Sequence, residues 1–140
     1  MKISEIMSRD VRVARPEETI QDVARTMKDI DAGVVPVCDG EKLQGMITDR
    51  DIVIRAVSEG RSFATPVSEL MTTDVEYCYE DDDIAAAADR MAELQVRRLA
   101  VLDHDQRLVG IVSLGDIAQQ GKDKTTGQAL EEISEPTRHV

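Results

Sequence analysis

Residues 45–51 read GMITDRD, and residues 110–116 read GIVSLGD. Both stretches consist of a glycine, two apolar residues, a threonine or serine, two variable residues and an aspartate. The apolar residues are typical of a buried strand, and the hydroxyl residue followed by an acidic residue is typical of the start of a helix. The pattern therefore predicts, at two places in the chain, a strand that passes directly into a helix.

The two stretches belong to an internal duplication. A shift of 64 residues aligns residues 4–7 (SEIM) with residues 68–71 (SELM), and it also aligns the apolar positions of one helix in each half. One inserted residue then changes the shift to 65, which aligns residues 43–52 with residues 108–117. Matches that recur in the same order over this length indicate a fold that is built twice from one unit.

Each half of the chain predicts the element order βαββα. An extended segment is followed by an amphipathic helix, a hairpin and a closing helix. Thr19 with Asp22, and Asp83, are candidate helix caps, and Asp39-Gly40 is a strong hairpin signal. The predicted elements are extended segments at 11–13 and 75–77, helices over 20–30 and 84–94, hairpins of 34–37 with 43–48 and of 99–102 with 108–113, and closing helices at 50–57 and 114–120.

These elements predict an α/β (α+β) fold of two repeats, residues 1–60 and 61–121, which pack sheet to sheet with pseudo-twofold symmetry. The repeats are expected to depend on each other, because an independent core of about 60 residues is marginal. Gly121 is a predicted helix stop, and residues 122–140 form a polar C-terminal tail.

The composition argues against several classes of partner. The net charge is −11 and the aromatic share is 2%, so the chain would repel a nucleic acid and offers few rings for base stacking. It would also repel an anionic membrane, and no apolar run approaches the roughly 20 residues that cross a bilayer. We expect a cytoplasmic protein in which Cys38 and Cys78 act as small core hydrophobes.

The duplicated pattern also brings a hydroxyl, backbone N–H groups and a carboxylate to one spot. A carboxylate accepts hydrogen bonds from two neighbouring hydroxyls, and a ribose presents such a pair. Thr48 with Asp51, and Ser113 with Asp116, therefore have two interpretations. Each pair either caps its closing helix and complements the helix dipole, or it holds a ligand. Recurrence at matched positions favours the ligand.

Two βαββα repeats that each end in Gly-h-h-[Thr/Ser]-x-x-Asp resemble a tandem pair of CBS domains, a family named after cystathionine β-synthase. Residues 45–52 (GMITDRDI) and 96–101 (VRRLAV) are the most similar to the family pattern. The resemblance covers about residues 1–121 and implies a stand-alone bacterial-type pair. It also implies that an adenosine-containing ligand (AMP, ADP, ATP, NAD or S-adenosylmethionine) binds in clefts between the repeats.

The resemblance implies a role for each matched residue. Asp51 and Asp116 would hold ribose hydroxyls, and Thr48 and Ser113 would contact ribose or phosphate. The apolar strand entries of the two repeats would sandwich the adenine. These entries are Val13, Val34 and Val35 in the first repeat, with Pro36 at a position where the family often has proline, and Tyr77, Val96 and Leu99 in the second.

The two repeats differ in positive charge. Arg97 and Arg98 align with Gly33 and Val34, and paired arginines suit a phosphate group on an otherwise acidic protein. Alternatively, the two arginines form a solvated or salt-bridged pair. Arg50 either reaches a phosphate or is an exposed helix residue.

No other cluster predicts a catalytic or metal site. His104 is expected in a hydrated loop, and Asp81-Asp82-Asp83 lacks the glycine and the distal glutamate of a calcium loop. No Ser/His/Asp set, Cys/His pair or phosphate-binding loop has a usable spacing. We therefore predict no catalytic residue, no metal and no covalent cofactor.

The primary hypothesis is a regulatory module that binds an adenosine nucleotide and signals to an unknown protein partner through a conformational or oligomeric change. The alternative is a ligand-independent dimerisation or interaction module. Both hypotheses predict a homodimer, and an enzyme is the least favoured class.

Overall fold

The computed structural model describes residues 1–120, which divide into two compact units. The first unit is Arg12–Val75, and the second unit combines Met1–Val11 with the described part of Glu76–Val140. The predicted tail at 122–140 and the predicted helix stop at Gly121 lie outside the described residues. Helices and strands are mixed in both units, which confirms the predicted α+β class. No helix within residues 1–120 is both long and apolar enough to cross a membrane.

The first unit is a two-stranded antiparallel hairpin with one helix before it and one after it. Gly40 lies in the hairpin turn with a φ of +64°, a left-handed conformation that suits glycine. The closing helix starts as one α-helical turn and continues as a π-helix. The elements are α1 (Ile20–Ile30), β1 (Val34–Asp39), β2 (Lys42–Thr48), α2 (Asp49–Asp51) with its π-helical continuation Ile52–Val57, and a 3-10 turn at Val67–Glu69.

Helix α1 begins and ends at residues whose side chains or backbone suit a helix terminus. The Thr19 hydroxyl oxygen accepts a hydrogen bond from the Asp22 N–H group at 3.1 Å, as the sequence predicts. Asp31 ends the helix in the left-handed conformation, with its N–H group donating to the Met27 carbonyl oxygen.

The extended segment predicted at 11–13 does not form a strand. Only Ala14 pairs with β1, through one donated and one accepted backbone hydrogen bond of 2.8 Å each. Pro16 ends this pairing, because the next ladder bond requires an N–H group and proline has none. At the matching position of the second unit, Glu80 does donate its N–H group, to the Leu102 carbonyl oxygen at 3.0 Å.

The second unit contains a three-stranded mixed sheet, in which the first strand is parallel to the second and the second is antiparallel to the third. The elements are a 3-10 turn at Ile3–Glu5, β3 (Tyr77–Tyr79), α3 (Ile84–Leu94), β4 (Arg98–Leu102), β5 (Leu108–Ser113) and α4 (Leu114–Gln120). Asp83 precedes α3 but makes no capping hydrogen bond with its side chain, so that predicted cap is wrong. The Met1 carbonyl oxygen accepts from the first N–H group of α3 instead, at 3.1 Å.

Each unit has its own aliphatic core, as the low aromatic share requires. Alternate residues of the strands point into it, because successive side chains of a strand lie on opposite faces. The first core includes Ile20, Val23, Val35, Val37 and Ile47, and the second includes Met91, Leu99, Val101, Val112 and Ile117.

Each unit receives a methionine-bearing segment from the other half of the sequence. In the second unit, Ser8 exchanges two backbone hydrogen bonds with Ile111 of β5, at 2.8 and 3.0 Å. In the first unit, Thr72 exchanges two with Met46 of β2, both at 2.9 Å. The compact units therefore differ from the sequence repeats, because each segment that opens a repeat folds onto the unit formed by the other.

Glycine is required where these segments approach the hairpins. A Cβ atom at Gly45 would lie 2.7 Å from the Thr72 carbonyl oxygen, and one at Gly110 would lie 2.7 Å from the Ser8 carbonyl oxygen. Both distances are shorter than van der Waals contact, and the obstructing atoms are backbone. The glycine of the duplicated pattern is thus a close-approach residue in both units.

We expect Gly45→Ala and Gly110→Ala each to lower the free energy of unfolding by about 1–3 kcal/mol, because the added methyl group overpacks a backbone contact. Urea denaturation measures the change. Gly115→Ala is the matched control, since its Cβ would lie 3.6 Å from the Ser113 hydroxyl oxygen in an exposed helical turn. Equal effects of all three substitutions would contradict the close-approach role.

Candidate functional site

A reciprocal pair of hydrogen bonds joins β2 to α2 in the first unit. The Thr48 N–H group donates to Asp51 Oδ2 at 3.0 Å, and the Asp51 N–H group donates to Thr48 Oγ1 at 3.0 Å. This is a capping box, in which the side chains at both ends of the first turn satisfy backbone donors. It fixes the position of the Asp51 carboxylate at the end of the strand.

The same arrangement joins β5 to α4 in the second unit. The Ser113 N–H group donates to Asp116 Oδ2 at 2.9 Å, and the Asp116 N–H group donates to Ser113 Oγ at 3.0 Å. The structure therefore brings together both predicted pairs of a hydroxyl and a carboxylate. We refer to these two places as the first junction (Thr48 to Asp51) and the second junction (Ser113 to Asp116).

Capping occupies only part of each junction. It uses one carboxylate oxygen, Oδ2, and the acceptor side of the hydroxyl, so that Oδ1 and the hydroxyl proton are not part of the cap. The helix-cap interpretation and the ligand interpretation are therefore compatible. The cap orients a carboxylate whose second oxygen is available to accept further hydrogen bonds.

The two junctions differ in what surrounds the second carboxylate oxygen. Asp51 Oδ1 lies 3.8 Å from Arg55 Nε, and Arg55 also donates to the Leu70 carbonyl oxygen at 3.1 Å. Gln120 matches Arg55 in the second unit, and no ion pair involves Asp116 within residues 1–120. Arg55 was not among the predicted site residues, although its spacing of four residues from Asp51 on a helix predicts the contact.

The two predicted arginines lie beside the second junction. The Arg97 carbonyl oxygen accepts from the Leu114 N–H group at 2.8 Å, and Arg98 is paired with Ser113 in the register of β4 and β5. Both side chains are exposed, and neither makes an ion pair within the described part of the chain. Of the alternative interpretation, a solvated or salt-bridged pair, the structure shows no salt bridge within residues 1–120, and both side chains are exposed, as in a solvated pair.

At the first junction, a carboxylate lies near the position that matches Arg97. A Cβ atom built on Gly33 would lie 2.9 Å from Asp49 Oδ2. Asp49 Oδ1 accepts from the Arg50 N–H group at 2.8 Å, whereas the Arg50 side chain is exposed and lines an open groove with Val53 and Ile54. Asp49 was not among the predicted site residues; the sequence signal for it is a charged residue in the first repeat where the second repeat has the apolar Leu114.

Two of the predicted adenine contacts, Val35 and Leu99, and the predicted site residue Pro36 have buried side chains. Val35 is 0% exposed and Leu99 is 2% exposed, because both point into the cores, and the Pro36 side chain on the other face of β1 is also fully buried. None of these side chains offers surface to a ligand. Of the other predicted contacts, Val13 is exposed and Val34, Tyr77 and Val96 are half-buried.

The two cysteines are buried and unpaired, which agrees with their predicted role in the core. Burial away from water raises the pKa of each thiol to about 11. Both thiols therefore stay protonated near neutral pH, which is unsuited to a nucleophile or a metal ligand.

His104 takes part in a small cluster on the surface of the second unit. Its Nε2 atom lies 3.0 and 2.9 Å from the two carboxylate oxygens of Asp81, and its ring stacks on Tyr79 with centroids 4.7 Å apart. Within residues 1–120, no group of three or more His, Cys, Asp or Glu side chains is placed to hold a metal ion. His104 therefore contacts a carboxylate and an aromatic ring.

Comparison with protein families identifies the duplicated unit. A family model described as CBS domain matches the chain twice, over residues 3–58 and 67–123. The two matches correspond to the two halves of the internal duplication.

Individual proteins resemble the chain over most of its length. The CBS domain-containing protein YhcV of Bacillus subtilis (strain 168) is 39% identical over 138 residues, which cover 98% of each chain. The crystal structure of Hypoxic Response Protein I with two coordinated zinc ions is 36% identical, with a TM-score of 0.78 over 86% of this chain and 99% of that one. The CBS domain pair of MJ0100, in complex with 5′-methylthioadenosine and S-adenosyl-L-methionine, is 26% identical, with a TM-score of 0.73 over 86% and 94%.

The contact between His104 and Asp81 predicts a shifted titration. The carboxylate stabilises the imidazolium form, so the pKa of His104 lies above its ordinary value of 6.5, and the pKa of Asp81 is lowered by the same hydrogen bond. We expect Asp81→Asn to lower the pKa of His104, as measured by NMR titration of the imidazole protons. Asp89→Asn, on the exposed face of α3, is the charge-matched control. An unchanged pKa in Asp81→Asn would show that this contact is not made in solution.

Proposed function

The chain belongs to the CBS domain family, and on that premise we propose that it is a regulatory module that binds an adenosine-containing ligand at its two strand-to-helix junctions. The observation that carries the proposal is the reciprocal hydrogen-bond pair, which occurs twice and leaves one carboxylate oxygen of Asp51 and of Asp116 outside the cap. MJ0100 supports the ligand class, since its CBS pair is described in complex with two adenosine compounds.

The chemistry of each junction suits the ribose of an adenosine. The carboxylate accepts hydrogen bonds from the two adjacent ribose hydroxyls, and the Thr48 or Ser113 hydroxyl donates its remaining proton to ribose or phosphate. The charge of the carboxylate strengthens these bonds relative to neutral ones. Because the cap fixes the carboxylate in advance, binding does not require the side chain to be ordered again.

The second junction is the stronger candidate of the two. Asp116 has no ion-pair partner within residues 1–120, whereas Arg55 lies near the corresponding oxygen of Asp51. Tyr77 lies in the strand next to β4 and, by the register of Tyr77 with Ala100, on the same sheet face as Arg98 and Ser113. This face therefore carries an aromatic ring, a cation and a hydroxyl, which suit adenine, phosphate and ribose respectively.

The ligand would act by changing the population of two states of the protein. A compound that binds one arrangement of the units more tightly shifts the equilibrium towards that arrangement, by no more than its difference in affinity for the two. A partner protein that reads the arrangement would then respond to the ligand. Within residues 1–120 there is no activated thiol and no cluster of metal ligands, so no observation favours catalysis.

A surface patch favours a second function, association with another copy of the chain. Val53, Ile54, Val57 and Phe63 are each half exposed or more, from 50% to 66%. Exposed apolar side chains grouped on one helix and the following loop suit a protein interface. A second copy offers the same patch, which is the usual basis of a twofold homodimer. Homodimerisation is compatible with ligand binding and also suffices for an interaction module without a ligand.

We expect wild-type protein to bind at least one of adenosine, AMP, ADP, ATP, NAD and S-adenosylmethionine in calorimetric titrations. Asp116→Asn and Asp51→Asn should each weaken one binding event by about 10- to 100-fold, since a hydrogen bond to a charged group contributes about 1.5–3 kcal/mol. The asparagine keeps the shape of the side chain and one carbonyl oxygen for the cap, so the protein should remain folded. Asp89→Asn is the control for the loss of one negative charge.

Two outcomes would contradict the proposal. Titrations that are identical in wild type, Asp51→Asn and Asp116→Asn would place the ligand elsewhere. A protein that binds none of the six compounds at millimolar concentration, while forming a stable dimer by light scattering, would instead favour the interaction module.

A further inference from the structure

We infer that the two junctions differ in the charge of the ligand they accept, with preference for a 5′-phosphorylated adenosine confined to the second junction. The inference rests on the proposed function and adds the chemical class of ligand for each site. It depends on the charged side chains that surround the two junctions, whose capping hydrogen bonds have matching partners and nearly equal lengths.

Positive charge at the second junction follows from the sheet register. Arg98 is paired with Ser113, so both side chains lie on the sheet face opposite the core, where Leu99 and Val112 point the other way. Arg97 is held next to the start of α4 by the hydrogen bond between its carbonyl oxygen and the Leu114 N–H group. The second junction thus has two arginines on the residues next to it, both with exposed side chains and without ion-pair partners in residues 1–120.

The first junction has the same capping hydrogen bonds but lacks this charge. Val34 is paired with Thr48 where Arg98 is paired with Ser113, and the Gly33 carbonyl oxygen accepts from the Asp49 N–H group at 2.9 Å as that of Arg97 accepts from Leu114. Val34 has an apolar side chain and Gly33 has none, so neither residue attracts a phosphate.

A carboxylate adds repulsion at the first junction. Asp49 Oδ2 lies 2.9 Å from the position of a Cβ atom on Gly33, which is the direction in which the Arg97 side chain leaves the backbone in the other unit. The matching residue in the second unit is Leu114, which is buried at 3% exposure. A phosphate group is therefore attracted by two arginines at the second junction and repelled by the Asp49 carboxylate at the first.

The cations of the first junction do not reverse this difference. Arg55 lies 3.8 Å from Asp51 and donates to the Leu70 carbonyl oxygen, so its charge is already directed to these groups. Arg50 lines an open groove together with Asp49, Val53 and Ile54, so the negative charge of Asp49 lies in the same groove as the positive charge of Arg50. Charges of Asp49, Asp51, Arg50 and Arg55 sum to zero, whereas those of Arg97, Arg98 and Asp116 sum to +1.

The test compares AMP with adenosine at one junction at a time, by calorimetric titration. In Asp51→Asn, which weakens the first junction, we expect AMP to bind about 10-fold or more tightly than adenosine, because phosphate gains charge-assisted bonds to arginine. Adding Arg97→Ser and Arg98→Ser should bring the AMP:adenosine affinity ratio close to one. Arg107→Gln, which removes a positive charge at the other end of the same hairpin, should leave the ratio high.

In Asp116→Asn, which weakens the second junction, we expect AMP to bind no more tightly than adenosine. Adding Asp49→Asn should then raise the AMP:adenosine ratio, because the repelling carboxylate is removed. A high ratio that survives the loss of both arginines, or an equal ratio at the two junctions, would overturn the inference. Failure of all six compounds to bind the wild type would instead overturn the proposed function, so the two failures are distinguishable. Circular dichroism of each variant tests whether the substitutions leave the fold intact.

Discussion

The reciprocal hydrogen bonds between a hydroxyl residue and the aspartate three positions later are the interaction on which the other features of this protein depend. In both units they end the last strand of the hairpin, begin the closing helix and hold a carboxylate in place. The glycine that opens the same pattern admits the methionine-bearing segment to the hairpin, because no side chain intervenes. One short stretch of sequence therefore determines the strand end, the helix start, the packing of a distant segment and the position of the candidate ligand group.

The duplication separates the residues that build the fold from those that differentiate the two sites. The glycine, the hydroxyl residue and the aspartate occur at both junctions, and their backbone and capping geometry is the same within about 0.1 Å in hydrogen-bond length. The flanking side chains diverge in charge, with Asp49, Gly33 and Val34 in one unit and Leu114, Arg97 and Arg98 in the other. A shared scaffold thus carries two chemically different surroundings, which is a simple way for a duplicated protein to distinguish related ligands.

Much of the fold could be predicted because its signals are local. The helical periodicity of 20–30 and 84–94 and the apolar strands of the hairpins depend only on neighbouring residues, and the structure contains these elements. In place of the strand predicted at 11–13 the structure has a single pairing at Ala14, which Pro16 ends because it lacks a ladder donor. The exchange of entry segments was not predictable, since it depends on contacts between residues far apart in the chain.

The candidate site was predicted in its polar part and less well in its apolar part. The hydroxyl and carboxylate pairs meet as expected because a capping box requires it. Val35 and Leu99 were assigned to the ligand together with neighbours on the opposite strand face, and the alternation of side chains places them in the cores instead. Asp49 was missed because its proximity to Gly33 follows from the hairpin register and not from its own sequence context.

The central claim is that an adenosine-containing ligand binds at the strand-to-helix junctions, and the most direct measurement is a 1H–15N NMR titration of the wild-type protein with each of the six compounds. The account predicts saturable shifts that are largest at the backbone amides of residues 48–51 and 113–116, whose N–H groups form the caps. Saturable shifts that are largest elsewhere, for example around His104 and Asp81, or no shifts with any of the six compounds at millimolar concentration, would contradict it.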